Sequence, residues 1–173
     1  MNKLTHEFFL QPTVTVAQSL IGQGFYFFGK TGIITETEAY VGEDDPACHA
    51  ACGKTARNAV MYGTAGKLYI YFIYGMYHCL NIVTEAENFP AAVLLRGLFI
   101  PETQQHLNGP GKLCKAFGID RSYNAVDICH SDDIFFFNTS HKLLYLTTPR
   151  IGISKAKEKL WRFYTTEKIS LPD

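Results

Sequence analysis

The sequence predicts an α+β fold: one domain with a largely antiparallel, curved β-sheet, flanking helices and a protruding β-hairpin. Three observations carry that expectation. The chain has 173 residues, a length that fits a single domain spanning 1–173. Runs rich in β-branched and aromatic residues follow one another along the chain, and helical periodicity is confined to two short stretches. Hydrophobic residues make up 47% and charged residues 18%, enough apolar mass for a core and too little charge for disorder.

Pro12, then Val16, Ala17, Leu20 and Ile21, then Gly22 read as an amphipathic helix with proline in its first turn and glycine past its end. GFYFFGK (24–30) and IITETEAYV (33–41) follow as strands, and the short Lys30-Thr31-Gly32 junction suits a hairpin. The stretch 43–60 holds Pro, Gly and small residues without a period and reads as a long loop, the kind that tends to be functional. KLYIYFI (67–73) and YHCLNIV (77–83) flank Tyr74-Gly75-Met76, a second hairpin with an exposed aromatic at its tip. AAVLLRGLF (91–99) is a core strand, and GPGKLCKAFGI (109–119) a short helix with Leu113, Cys114 and Phe117 inward. FFF (135–137) and LLYL (143–146) close the sheet.

Charge excludes an overall basic protein, since 16 Lys+Arg balance 16 Asp+Glu. A local excess of +5 lies between Lys142 and Lys168, matched by −5 elsewhere, and such a run fits either a solvated face or a polyanion stripe. Five cysteines are an odd count, and Met1–Gln11 lacks the apolar core of a signal peptide, so an intracellular, reduced protein is expected. Gly75, His78 and Asn81 interrupt the most apolar run, and no membrane span is expected.

Alternation places Glu36, Glu38 and Tyr40 on one strand face, with Glu38 and Tyr40 about 7 Å apart. That spacing suits an aromatic platform for a flat ligand with a carboxylate at the bond beyond it, but on spacing alone an ordinary solvent-facing strand is the plainer reading. Arg96 shares a face with Leu94 and Leu98 by the same rule, so its guanidinium needs an anion: Glu38, Glu36 or a phosphate. A buried Arg–carboxylate pair would keep a general base ionised, or be purely structural. Tyr74, at a hairpin tip, has nothing to pack on in its own domain, and wedges of this kind can enter a base stack. Cys48, His49, Cys52, His78 and Cys79 contain no C-x-x-C pair, and no metal site is expected. Gly109-Pro110-Gly111-Lys112 departs from the P-loop at His106 and Leu113. A helix entry there still leaves N–H groups free for a backbone phosphate, with Lys112 alongside.

ETEAY (36–40), KLYIYFIYGMYHCLNIV (67–83), AAVLLRG (91–97), GPGKLCKAFGI and RIGI (150–153) occur in this order. Together they resemble the alkyladenine (3-methyladenine) DNA glycosylase family, collinearly from about Phe8 to Tyr164. The resemblance implies a repair enzyme that flips alkylated or deaminated purines, such as 3-methyladenine and hypoxanthine, out of duplex DNA. It would hydrolyse the N-glycosidic bond without cutting the strand. Glu38 would be the general base, holding a water with Arg96 and the backbone carbonyl of Ile151. Tyr40, His49 and Tyr71 would sandwich the base, Asn81 would disfavour guanine, and Tyr74 would be the intercalating wedge. Met76, Tyr77, Arg57 and Lys112 would join it in binding DNA. No cofactor, metal, membrane or obligate protein partner is implied, and a monomer is expected. Lys54-Thr55-Ala56-Arg57-Asn58 stands where the family pattern has R-T-P-R-N, and Leu160-Trp161-Arg162-Phe163-Tyr164 where it has P-L-R-F-Y. Two other readings remain at this stage, a non-catalytic damage-sensing DNA-binding module of the same fold and a zinc-dependent protein; base release and metal analysis separate them.

Overall fold

The structure is a computed structural model that describes residues 1–169. Two short helices, α1 (His6–Phe9) and α2 (Thr13–Ser19), precede the hairpin β1 (Gly24–Phe27) and β2 (Lys30–Val41). A loop and a 3₁₀ turn (Ala59–Tyr62) lead to the second hairpin, β3 (Leu68–Ile73) and β4 (Tyr77–Val83). Then come β5 (Ala91–Ile100), β6 (Gln105–Asn108), α3 (Pro110–Phe117), a 3₁₀ turn (Arg121–Tyr123), β7 (Ile134–Phe137), β8 (Leu146–Thr148) and β9 (Arg162–Tyr164). All the strand pairs are antiparallel, in the order β3-β4-β5-β2-β1-β7, with β6 on β5 and β9 joining β8 to β2.

The α+β expectation holds, and both helices bury the residues chosen for them. Val16, Ala17, Leu20 and Ile21 are in the core, and α3 turns Leu113, Cys114 and Phe117 inward. With Phe25, Ile34, Ala39, Leu95 and Phe136 they form one apolar cluster.

Several boundaries move. The first hairpin turns at Phe28-Gly29, both at positive φ, and Lys30–Gly32 belong to β2. Phenylalanine is an uncommon occupant of that backbone region, so the sequence steered the turn towards the more ordinary Lys-Thr-Gly. Of LLYL, just Leu146 enters a strand. β6 and β9 are edge segments of three or four residues, too short to show a period.

A correction with consequences concerns Leu98. The β2–β5 register slips between Ile34 and Glu36 and again between Glu36 and Thr37, leaving Arg96 between the paired positions Leu95 and Gly97. A bulge breaks strict alternation. Leu98 therefore joins the core with Leu95, and Arg96 shares the opposite face with Leu94.

Candidate active site

Register builds one row across the sheet: Tyr69 opposes Asn81, Asn81 opposes Leu94, Leu94 opposes Glu38, and Glu38 opposes Arg162. Laterally paired residues share a face, so β3, β4, β5 and β2 deliver these side chains to one side. There a cavity of about 500 Å³ opens, walled by Tyr40, His49, Tyr71, Asn81, Arg96 and Ile151 and bordered by Tyr74, Tyr77 and Lys112.

Glu38 lies immediately behind this lining, wholly buried. Its Oε2 accepts from the Tyr40 hydroxyl at 2.8 Å and its Oε1 from the Ile151 N–H at 2.7 Å. The nearest cation, Arg96 Nε, is 3.4 Å from Oε1 but donates more closely, at 3.0 Å, to Glu36, which also accepts from Arg162. Arg96 is thus shared between two carboxylates, with Glu36 the nearer. Burial raises the Glu38 pKa, against the lowering effects of Arg96, the Ile151 N–H and the Tyr40 hydroxyl. Of the partners open to Arg96, both Glu36 and Glu38 are used, and burial outweighs the arginine at Glu38, which moves a carboxylate towards the range useful for a general base at neutral pH.

The aromatic wall is equally tied down. His49 and Tyr71 meet edge to face at 4.5 Å, Tyr71 lies 5.3 Å from Tyr69, and Tyr69 O–H is 2.9 Å from His49 Nδ1. Desolvation, helped by Arg57, lowers the His49 pKa, so the ring stays neutral at physiological pH. Burial pushes the Tyr69 hydroxyl up to about 12. Asn81 is buried and donates through Nδ2 to the carbonyls of Tyr69 and Cys79, at 3.0 and 3.3 Å, which fixes its amide in the cavity floor.

The β3–β4 tip turns through Tyr74 and Gly75 at φ 51° and 63°, the left-handed pair that a tight hairpin demands. Tyr74 is 81% exposed and Met76 66%. Tyr77 anchors the hairpin, its ring pressed against the Gly111 backbone so closely that a β-carbon there would lie 2.7 Å away. Lys112 follows on the exposed first turn of α3. Arg57 lies outside the cavity, its guanidinium 5.7 Å over the Tyr71 ring and donating to the Phe72 carbonyl.

The C-terminal positive run is thinner than its formal charge. Arg150 is buried against Asp45 and Arg162 is paired with Glu36, leaving Lys142, Lys155, Lys157, Lys159 and Lys168 as its cations. Cys48 and Cys79 are buried and Cys52 is exposed; among the described residues no three of His, Cys, Asp and Glu are grouped to hold a metal ion. No helix among them is long and apolar enough to cross a membrane.

Sequence reasoning missed Asp45, the Arg150 side chain as anything but a surface charge, and Trp161 as a packing partner. Asn58 was noted only within the KTARN stretch; it holds the loop by donating to the carbonyls of His49 and Gly53 and accepting from Thr55 N–H. An asparagine or aspartate in a Pro- and Gly-containing loop is a local hint of such turns, but nothing local signals a partner 105 residues away.

The family model described as methylpurine-DNA glycosylase matches residues 7–169. The chain belongs to the methylpurine-DNA glycosylase family. Among curated proteins, one from Rickettsia felis, provisionally named 3-methyladenine DNA glycosylase, is 53% identical over 99% of both chains. Another so named, from the Wolbachia of Culex pipiens, is 53% identical over 98% of this chain and 93% of its own. A third, from the Wolbachia of Brugia malayi, is 53% identical over 92% and 95%. Membership makes the protein a DNA glycosylase, a hydrolase of DNA repair for methylated purines.

Proposed function

We propose that this glycosylase takes a damaged purine nucleotide out of the DNA stack and into the aromatic cavity. Glu38 there activates water for attack on C1′, releasing the free base and leaving an abasic site in an uncut strand. The observation that carries the reading is a carboxylate wholly buried directly behind an aromatic cavity, held by Tyr40, Ile151 and Arg96. A base cannot be reached within the duplex, so extrusion must come first.

Chemistry supports the assignments. An alkylated purine such as 3-methyladenine is cationic, and π-faces attract flat cations by about 0.5–2 kcal/mol. A neutral His49 beside Tyr71 preserves that attraction, whereas an imidazolium would repel the ligand. A cationic base leaves without a general acid, so one carboxylate suffices. As C1′ loses the base it becomes oxocarbenium-like, and ionised Glu38 both takes a proton from the water and offsets the developing positive charge. Arg96 and the Ile151 backbone hold the carboxylate and the water between them. Asn81, with its amide fixed, meets the edge of the bound base and is suited to reject guanine's exocyclic amine. Strand cleavage by β-elimination would need an amine nucleophile, and no lysine lies beside ETEAY: the lysine of β2, Lys30, stands at the far end of that strand. Hypoxanthine is flat and fits the same sandwich without the cationic term.

Tyr74, with Met76 and Tyr77 around it, fills the gap left by the extruded nucleotide, and Arg57 and Lys112 meet phosphates beside it. The protein acts as a monomer on duplex DNA, and no cofactor takes part. The deciding test incubates the protein with duplexes carrying single defined lesions and measures free base, with strand scission scored before and after hot alkali. Base release with an intact strand is expected; binding without release from any purine lesion would instead identify a damage-sensing module.

A further inference from the structure

Arg150 is the most enclosed cation among the described residues, with no exposed side-chain surface, and none of the roles above uses it. Nη1 and Nη2 make a two-point pair with the buried carboxylate of Asp45, and Nη1 also donates to the Ala39 carbonyl at 2.8 Å. Its guanidinium carbon lies 4.6 Å from the centre of the Tyr40 ring and 5.3 Å from that of Trp161, the single tryptophan of the chain. Nε is buried with no hydrogen-bond partner among the described residues. The pair has no surplus to recommend it as simple glue, since a well-packed apolar cluster serves as well as a buried ion pair.

Its placement is what distinguishes it. Asp45 also accepts from the Val41 and Ala47 N–H groups, fixing the loop that carries His49 to the end of β2. Arg150 directly precedes Ile151, whose N–H is the backbone donor to Glu38. Ala39, whose carbonyl it holds, lies between Glu38 and Tyr40. Trp161 accepts from the Ala39 N–H through its own carbonyl, so one strand residue is gripped from both directions. Three chain segments that supply the cage and the carboxylate therefore converge on one guanidinium.

We propose that Arg150, clamped by Asp45 and lying against Tyr40 and Trp161, is a positioning residue that sets the Tyr40 ring and aims the Ile151 N–H at Glu38. The inference rests on Glu38 being the general base. A planar guanidinium can bond in its plane and stack on its faces at once, which an ammonium cannot, so Arg150→Lys keeps the charge and loses the alignment. The groups facing Glu38 are Glu36 and Tyr40 on β2, Cys79 on β4, Arg96 on β5, Arg162 on β9 and the 150–151 segment. Of these, the Ile151 N–H and the Tyr40 hydroxyl are the two donors that Arg150 positions. Both favour the ionised carboxylate, so disturbing them must make Glu38 harder to ionise.

The test measures single-turnover base release from methylated duplex DNA against pH, with duplex affinity, for the wild type, Arg150→Lys and Trp161→Leu. Arg150→Lys is expected to keep affinity within about threefold, to lose roughly tenfold in plateau rate, and to move the acid limb of the profile to higher pH. Trp161→Leu, which retains apolar bulk, should shift the limb in the same direction with a loss of about two- to threefold. A purely structural pair would lower the melting temperature and leave the limb in place. Folding is checked by circular dichroism and, in Arg150→Lys, by emission of the single tryptophan; should that variant not fold, the Trp161→Leu profile decides. A wild-type acid limb in the folded variants overturns the inference while base release by the wild type stands. No base release by the wild type removes the reading of Glu38, and this inference with it.

Discussion

The floor of the cavity and the tip of the β3–β4 hairpin are parts of one sheet system, yet they are built on opposite principles. Glu38 is 0% exposed and every oxygen is engaged, while Tyr74 is 81% exposed at a left-handed turn. The floor is costly: it buries the carboxylates of Glu38 and Asp45 and the guanidinium of Arg150, with a partly exposed Arg96 beside them. The tip costs little and gains nothing from its own domain. A group that must act on a bond needs its geometry fixed in advance, whereas a group that enters another molecule must be left without intramolecular partners. The two regions are linked through Tyr77, which seats the hairpin on α3, and through Tyr71, which belongs to both β3 and the cage.

If the floor does the chemistry, the largest effect belongs to Glu38→Gln, which preserves size and removes the charge. Base release in single turnover should fall by roughly 10²–10⁴-fold or more, while affinity for lesion duplex holds or improves as repulsion from phosphate is relieved. Near-normal release would transfer the role to Glu36 and dissolve the contrast. If the tip does the opening, Tyr74→Ala should slow excision from duplex by roughly 10- to 100-fold and from single strands much less, because just the duplex must be unstacked. Equal losses on both substrates would make Tyr74 part of the pocket.

These assignments were legible to different degrees. Period-two alternation and the turn at Tyr74-Gly75 carried the tip in full, and the same alternation put Glu38 beside Tyr40 correctly. Alternation failed at Leu98 because the bulge opposite Glu36 and Thr37 reverses the phase. The resemblance grouped Tyr40, His49, Tyr71 and Asn81, which wall one cavity; register brings the three strand residues there, and His49 arrives on the loop that Asn58 holds. What stayed hidden is long-range: Asp45 with Arg150, Glu36 with Arg162, and Trp161 against Arg150. A charge in the sequence gives no sign of whether its partner waits a hundred residues away, so of the arginines in the basic stripe Arg150 is internal and Arg162 is paired with Glu36.

Between floor and tip, the cage should separate by ligand charge. Tyr71→Leu keeps bulk but removes the π-face, and should reduce excision of cationic alkylpurines by roughly 2- to 30-fold, with a smaller loss on hypoxanthine. A uniform loss measured across lesions would assign Tyr71 to shape alone. Outside the cavity, Lys112→Ala should weaken binding to any duplex and lower the slope of log affinity against log salt by about one. An unchanged slope would place Lys112 away from phosphate. The smallest effect concerns stability. Glu38 has a folded-state pKa raised above its unfolded value, so its ionisation costs stability above the folded pKa, and that cost vanishes as pH falls below the unfolded one. Glu38→Gln should therefore raise the melting temperature at neutral pH and not in acid. The reverse pattern would mean that Arg96 and Ile151 outweigh burial.

The most direct measurement of the central claim, that an ionised, buried Glu38 drives base release, is the pH dependence of single-turnover excision of a cationic alkylpurine by the wild type, with lesion affinity followed over the same range. A cationic base needs no acid, so one deprotonation should govern the rate. Release should fall as pH drops through a pKa above the ordinary glutamate value of about 4.3, with affinity nearly level. A rate that stays flat down to that value, or that falls just in step with affinity, would contradict it.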